Sequence, residues 1–125
     1  GIYHDIALEL GLSDSGFVIL YTICETGDGC LQKDLSTMLS MSKQTINSSI
    51  RRLEKDDFLT LTSGKGRQMH IYLTPKGRQF CEKKIFPLIA MENKAFSCMK
   101  KDECNLMLKL FNDYCQALKD SISKL

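Results

Sequence analysis

Between residues 42 and 67 the hydrophobic period of the chain changes, and few folds accommodate both halves. The first half, S-K-Q-T-I-N-S-S-I-R-R-L-E-K, sets Ile46, Ile50 and Leu53 at i, i+4 and i+7 on an otherwise polar helix. Such a helix rests on a core by a thin edge and keeps most of its circumference in water. The second half, D-D-F-L-T-L-T-S-G-K-G-R, passes into strand formers and a glycine-containing tip.

The neighbouring residues complete the unit. Residues 32–39 read as a short helix with Leu35, Met38 and Leu39 inward, and Ser40-Met41-Ser42 as the turn. Ser42 caps the next helix, residues 43 to about 57, by accepting from the backbone N–H of Thr45. Residues 58–62 and 69–73 pair as a hairpin across S-G-K-G-R-Q. Short helix, turn, polar helix and hairpin in this order make a winged helix-turn-helix, with one helix for the DNA major groove and one loop for the groove beside it. Many helix-turn-helix units carry Gly at the position of Ser40, because the backbone there tends to positive φ; serine costs below about 1 kcal/mol.

Charge agrees with a polyanionic partner. Residues 43–84 hold ten Lys and Arg against four Asp and Glu, a net +6, whereas the other residues carry a net −4. On the polar face, Gln44 and Asn47 suit adenine edges, and Lys43 and Arg51 reach guanine or phosphate. Thr45 and Ser48 suit phosphate or a thymine methyl, with Ser42 beside them at the helix start. Arg67 suits a narrow minor groove, Lys65 and Gln68 suit phosphates, and Gln32 and Lys33 contact the backbone from the preceding helix.

The flanks are helical. Residues 2–10 end at Gly11. Ser13 caps a helix reaching Gly27, on which Phe17, Leu20, Tyr21 and Cys24 form a stripe that Val18, Ile19 and Ile23 widen toward all-round burial. Gly27-Asp28-Gly29 reads as a loop. Thr74 and Pro75 open a further helix that Pro87 must kink or divide, and Lys100-Lys101-Asp102 is a break. In the last helix Met107, Leu110, Phe111, Tyr114, Leu118 and Ile122 keep helical spacing for more turns than a small core can cover. A second copy of the chain would cover them, with Ile2 and Ile6 of the first helix alongside.

Hydrophobic residues at 43% and charged residues at 26% place the chain among globular proteins. It contains no apolar run long enough to cross a bilayer, so the expected location is cytoplasmic, with no membrane partner. The six cysteines form no C-x-x-C, and most read as small core hydrophobes. No catalytic motif is present, the only histidines are His4 and His70, and neither an enzyme, a metal site nor a cofactor is expected.

Three segments together, G-L-S-D-S-G-F-V-I-L-Y (11–21), L-S-T-M-L-S-M-S-K-Q-T-I-N-S-S-I-R-R-L-E-K (35–55) and G-R-Q-M-H-I-Y-L-T-P-K-G (66–77), resemble the multiple antibiotic resistance regulator (MarR) family. The resemblance implies a mainly α fold with a small β-hairpin wing. Residues 12–80 form the winged helix-turn-helix lobe, and residues 1–11 and 81–125 the dimerisation helices. It further implies a homodimeric bacterial or archaeal transcription regulator on pseudo-palindromic double-stranded DNA, commonly a repressor released by a small molecule. The effector would be small and aromatic or apolar, with Tyr21, Phe80, Phe96 or Tyr114 near it. At the wing, Lys65 stands where relatives often carry an acidic residue that braces the Arg matched here by Arg67.

The competing classes are a winged-helix protein-interaction module, against which the basic face and Arg67 weigh, and a cysteine-based redox regulator of the same fold. The latter needs an exposed thiol of lowered pKa; Cys30, Cys98 and Cys104 are the least obviously buried. Replacing Arg67 by Ala should weaken DNA binding strongly while leaving the protein folded. An unchanged affinity in a titration at fixed salt would remove Arg67 from the wing contact.

Overall fold

The computed structural model describes residues 1–66 and 68–125; Arg67 lies outside the described residues. Residues 1–88 gather into one compact unit and residues 89–125 into another.

The first unit begins with α1 (Ile2–Glu9), which ends at Leu10 and is followed by Gly11 at φ +73°. Helix α2 (Asp14–Thr26) starts where Ser13 Oγ accepts the Gly16 N–H at 3.0 Å. It buries Phe17, Ile19, Leu20 and Ile23, more than one stripe, because α1, α4 and the turn after α5 all pack on it. Tyr3 of α1 meets the Phe17 ring with centroids 6.4 Å apart.

The loop after α2 leads into a strand absent from the sequence reading, β1 (Cys30–Leu31). Two residues are too few to display a period. Antiparallel pairing joins β1, β3 (Met69–Leu73) and β2 (Leu59–Ser63) into a sheet of order β1-β3-β2. Its registers are Cys30↔Ile71 on one side of β3 and Leu59↔Leu73 on the other. Asp28 fastens the loop: its carboxylate accepts the Leu73 N–H at 2.9 Å and pairs with Arg78. His70, half-buried in β3, bonds the Gly29 carbonyl through Nδ1 at 2.9 Å, so its role is cross-strand.

Helices α3 (Gln32–Leu39) and α4 (Lys43–Lys55) follow. In α3 only Leu35 is fully enclosed; Leu39 is half-buried, and Met38, expected to face inward, is 50% exposed. The helix packs on α4, β1 and β3, and Met38 falls outside that contact.

Helix α4 ends at Asp56, and Asp57 takes φ +65° to turn the chain into the wing. Here the T-P-K-G motif acts as a clamp. The Thr74 N–H donates to the Phe58 carbonyl at 3.0 Å, and the Thr74 hydroxyl donates to the Asp57 carbonyl. Thr74 Oγ1 in turn accepts the Gly77 N–H at 2.9 Å, capping α5 (Pro75–Phe80), while Lys76 Nζ donates to the Asp56 carbonyl at 2.9 Å. The rings of Phe58 and Phe80 close the junction at 4.9 Å. A Cβ on Gly77 would lie 2.0 Å from the Phe58 carbonyl oxygen, so only glycine permits this approach.

Pro87 divides the next helix before it is reached. Proline lacks an N–H, and its ring collides with the carbonyl four residues back. A π-helical turn, Cys81–Ile85, widens the ladder so that the Phe86 N–H bonds the Cys81 carbonyl five residues back, and α6 (Phe86–Ser97) then runs on. This turn buries Cys81 and Ile85 completely. The buried apolar core of the unit otherwise comprises Ala7, Ile46, Ile50, Leu53, Leu59 and Ile71 with the residues of α2 and Leu35.

In the second unit α6 ends at Ser97, and α7 (Lys101–Ser123) begins after Lys100, whose N–H donates to the Glu103 carboxylate at 2.9 Å. No residue of α7 is buried within the chain. Met107, Leu110, Phe111, Tyr114, Leu118 and Ile122 form an exposed stripe, with Phe111 62% exposed. Among the described residues no single helix is long and apolar enough to cross a membrane.

Replacing Gly77 by Ala should cost at least about 2–3 kcal/mol, because the neighbour it meets is backbone and cannot swing aside. Urea unfolding would show this as a lowered midpoint; a midpoint equal to that of the native chain would mean that the clamp is not tight.

Candidate nucleic-acid interface

The interface is built from the contact of α3 with α4. Leu35, Ile46, Ile50 and Leu53 are buried, which fixes one edge of α4 and turns its other side outward. The turn between the helices is held twice. Ser40 adopts φ +53°, ψ +35°, the left-handed geometry that the helix-turn-helix pattern called for. Ser36 Oγ donates to the Met41 carbonyl at 2.8 Å. Ser42 then caps α4, accepting the Thr45 N–H at 3.1 Å, with the two hydroxyls 2.9 Å apart. One polar pair lies under the helix: Ser49, buried, meets Ser15 of α2 at 2.6 Å.

Outward, Lys43, Gln44, Thr45, Asn47, Ser48 and Arg51 are all exposed. Helix α4 has no acidic residue in its first turn, whereas α2, α3 and α7 do. The partial positive charge of its N-terminus is therefore uncompensated and lies beside Lys43, an arrangement that favours an anion. At the other end Arg52 and Asp56 approach to 3.3 Å on the exposed surface, which contributes little.

The wing loop follows β2. Gly64 N–H bonds the Gln68 carbonyl at 2.8 Å, and Gly66 takes φ +69°. Lys65 and Gln68 are exposed. Between this loop and the starts of α3 and α4 lies an open cavity of about 490 Å³, lined by Leu31, Gln32, Lys33, Ser36, Lys43, Ile46, Asn47, Gln68 and Met69. Five of the residues singled out from the sequence thus meet in one place. Arg51 and Lys65 lie outside its lining.

One contact in the cavity could not be read from spacing. The Gln32 side-chain Nε2 donates to Asn47 Oδ1. These residues are fifteen apart, on different helices, and sequence reading treated them as independent.

The thiols also differ from expectation. Only Cys81 is fully buried; Cys24, Cys30, Cys104 and Cys115 are half-buried and Cys98 is exposed. Cys30 lies on the two-residue edge strand β1, and Cys104 and Cys115 lie on α7, which buries no residue within the chain. Cys24 donates a hydrogen bond to Cys81, which, with burial, holds the Cys24 thiol far above its usual range and lowers that of Cys81. Burial also raises Cys30. Cys30, one of the three thiols expected to be least buried, is thus held up, the opposite of what a reactive thiol needs. Among the described residues no three His, Cys, Asp or Glu side chains gather as metal ligands would. Of the aromatic residues expected near an effector, Tyr21 stacks on Phe17 with centroids 6.1 Å apart and Phe80 on Phe58, whereas Phe96 and Tyr114 are exposed in the second unit.

A basic, exposed helix after a tight turn, followed by a glycine-tipped hairpin and completed by a third strand, defines the lobe as a winged helix-turn-helix. The sequence profile of the MarR family matches residues 10–68. Solved structures agree over nearly the whole chain. A MarR family regulator from Neisseria meningitidis has TM-score 0.80 at 18% identity, covering 98% of this chain and 87% of that one. A MarR family transcriptional regulator from Listeria monocytogenes, complexed with 26mer DNA, has TM-score 0.71 at 25% identity, covering 96% and 81%. MarR from Staphylococcus aureus, in complex with salicylate and kanamycin, has TM-score 0.70 at 17% identity, covering 95% and 81%. No curated protein sequence matches the chain. Residues 10–68 thus match the MarR family, and the chain shares the fold of its winged-helix regulators.

Proposed function

We propose that this protein is a sequence-specific double-stranded DNA-binding transcription regulator that acts as a homodimer on a pseudo-palindromic operator. The observation that carries the reading is the outward face of α4, where exposed Lys43, Gln44, Thr45, Asn47, Ser48 and Arg51 surround a helix N-terminus without an acidic residue. A helix about 10–12 Å across fits a major groove about 12 Å wide. Gln44 and Asn47 read base edges there, and Lys43 and Arg51 reach guanine or phosphate. Lys33 from α3, and Lys65 and Gln68 from the wing, hold the backbone on either side, and Arg67 enters the minor groove. The Listeria relative complexed with 26mer DNA supports the partner.

The second copy follows from α7. An exposed stripe of Met107, Leu110, Phe111, Tyr114, Leu118 and Ile122 costs free energy in water. A two-fold axis along that helix, with Ile2 and Ile6 contributing, covers it and sets two α4 helices for two half-sites. The regulator is a repressor, released by a small aromatic or apolar effector; the Staphylococcus relative in complex with salicylate and kanamycin supports such control.

Titration with duplexes from the promoter next to its own gene, at several salt concentrations, tests the DNA reading. Log affinity should fall linearly with log salt, and Lys65→Ala should lower the slope by roughly 2, since a dimer loses two phosphate contacts of about 0.9 each. Absent or salt-insensitive binding would favour a protein-interaction module. Phe111→Glu should yield a folded monomer by light scattering; a persistent dimer would displace the interface from α7.

A further inference from the structure

We propose that Gln32 is a positioning residue that sets which bases Asn47 can read, by holding the Asn47 carbonyl toward α3 and leaving its amino group for DNA. The proposal rests on the DNA-binding reading above and adds to it a determinant of specificity outside the recognition helix.

An asparagine amide offers two N–H donors on one side and a carbonyl acceptor on the other, and free in solution it can present either. Here the choice is made by the fold. Gln32 Nε2 donates to Asn47 Oδ1. Among the described residues the Asn47 amino group has no protein partner, and Asn47 is exposed. The backbone is held at both ends of the contact. Gln32 directly follows Leu31, which the sheet holds opposite His70, and Asn47 directly follows Ile46, which is buried in the core. Gln32 itself is half-buried in the wall of the cavity, so its own freedom is reduced.

The consequence is chemical. Outward N–H donors need acceptors, which in the major groove are guanine N7 and O6, thymine O4 and adenine N7; cytosine offers only its amino donor. An outward carbonyl would need the amino group of adenine or cytosine instead. The hydrogen bond therefore takes the bidentate adenine pairing from Asn47 and makes it a donor-only reader that disfavours cytosine.

Selection of operators from randomised duplexes with the full chain tests this. Asn47→Ala marks the position read, as the one whose preference vanishes. There the native protein should take guanine or thymine over cytosine by roughly tenfold. A glutamate in place of Gln32 cannot donate and must accept, so Gln32→Glu should flip the Asn47 amide and move the preference from guanine or thymine toward cytosine, and in an Asn47→Ala background it should move nothing. Gln32→Leu, which neither donates nor accepts, should flatten it. Ratios between bases at one salt concentration are unaffected by the added charge of Gln32→Glu. The proposal is overturned if both Gln32 variants keep the native preference, if the native protein takes cytosine at that position, or if Asn47→Ala alters no position. A native chain that selects no operator at all would overturn the DNA-binding reading itself, and this one with it.

Discussion

The approach of Gly77 to the Phe58 carbonyl sets the geometry on which the lobe depends. At that point the end of α4, the start of the wing and the start of α5 share one junction, held by Thr74, Lys76 and the ring of Phe80. Closing it to backbone contact fixes the angle at which the hairpin leaves the recognition helix. A side chain at residue 77 would push α5 away, and β3 with it, because β3 runs directly into Thr74.

From that junction the order of the sheet follows. With β2 tied to the end of α4, β3 returns beside it and presents its far edge to the chain leaving α2. Asp28 and His70 capture that chain, so β1 pairs with β3 and delivers Gln32 to the mouth of the cavity. The Gln32–Asn47 contact is therefore a product of sheet closure rather than of local helix preference. Lys65 and Gln68, between β2 and β3, lie outside the sheet and are exposed.

The chain places its polar and apolar demands on separate elements. In the first unit, burial concentrates on α2, the inner edge of α4 and the π-helical turn. In the second, α7 leaves an apolar stripe open within a single chain. The exposed apolar stripe of α7 and the exposed polar face of α4 are therefore carried by different helices.

Sequence alone determined the helix-turn-helix, because its signals are local. Ser42 and Ser13 are caps, Ile46, Ile50 and Leu53 mark a helix edge, and T-P-K-G opens α5; each acts within a few residues through backbone hydrogen bonds and side-chain period. It also indicated the left-handed geometry at Ser40 and the interruption forced by Pro87, which follow from φ preferences and a missing N–H. What only the tertiary structure decided depends on partners distant in the chain. β1 exists because β3 offers it an edge, and Met38 is exposed while Leu39 beside it is half-buried because of where α3 meets α4 and the sheet. The orientation of the Asn47 amide belongs to the same class. Its two faces are equivalent in sequence, and a glutamine fifteen residues away, held by the sheet, chooses between them.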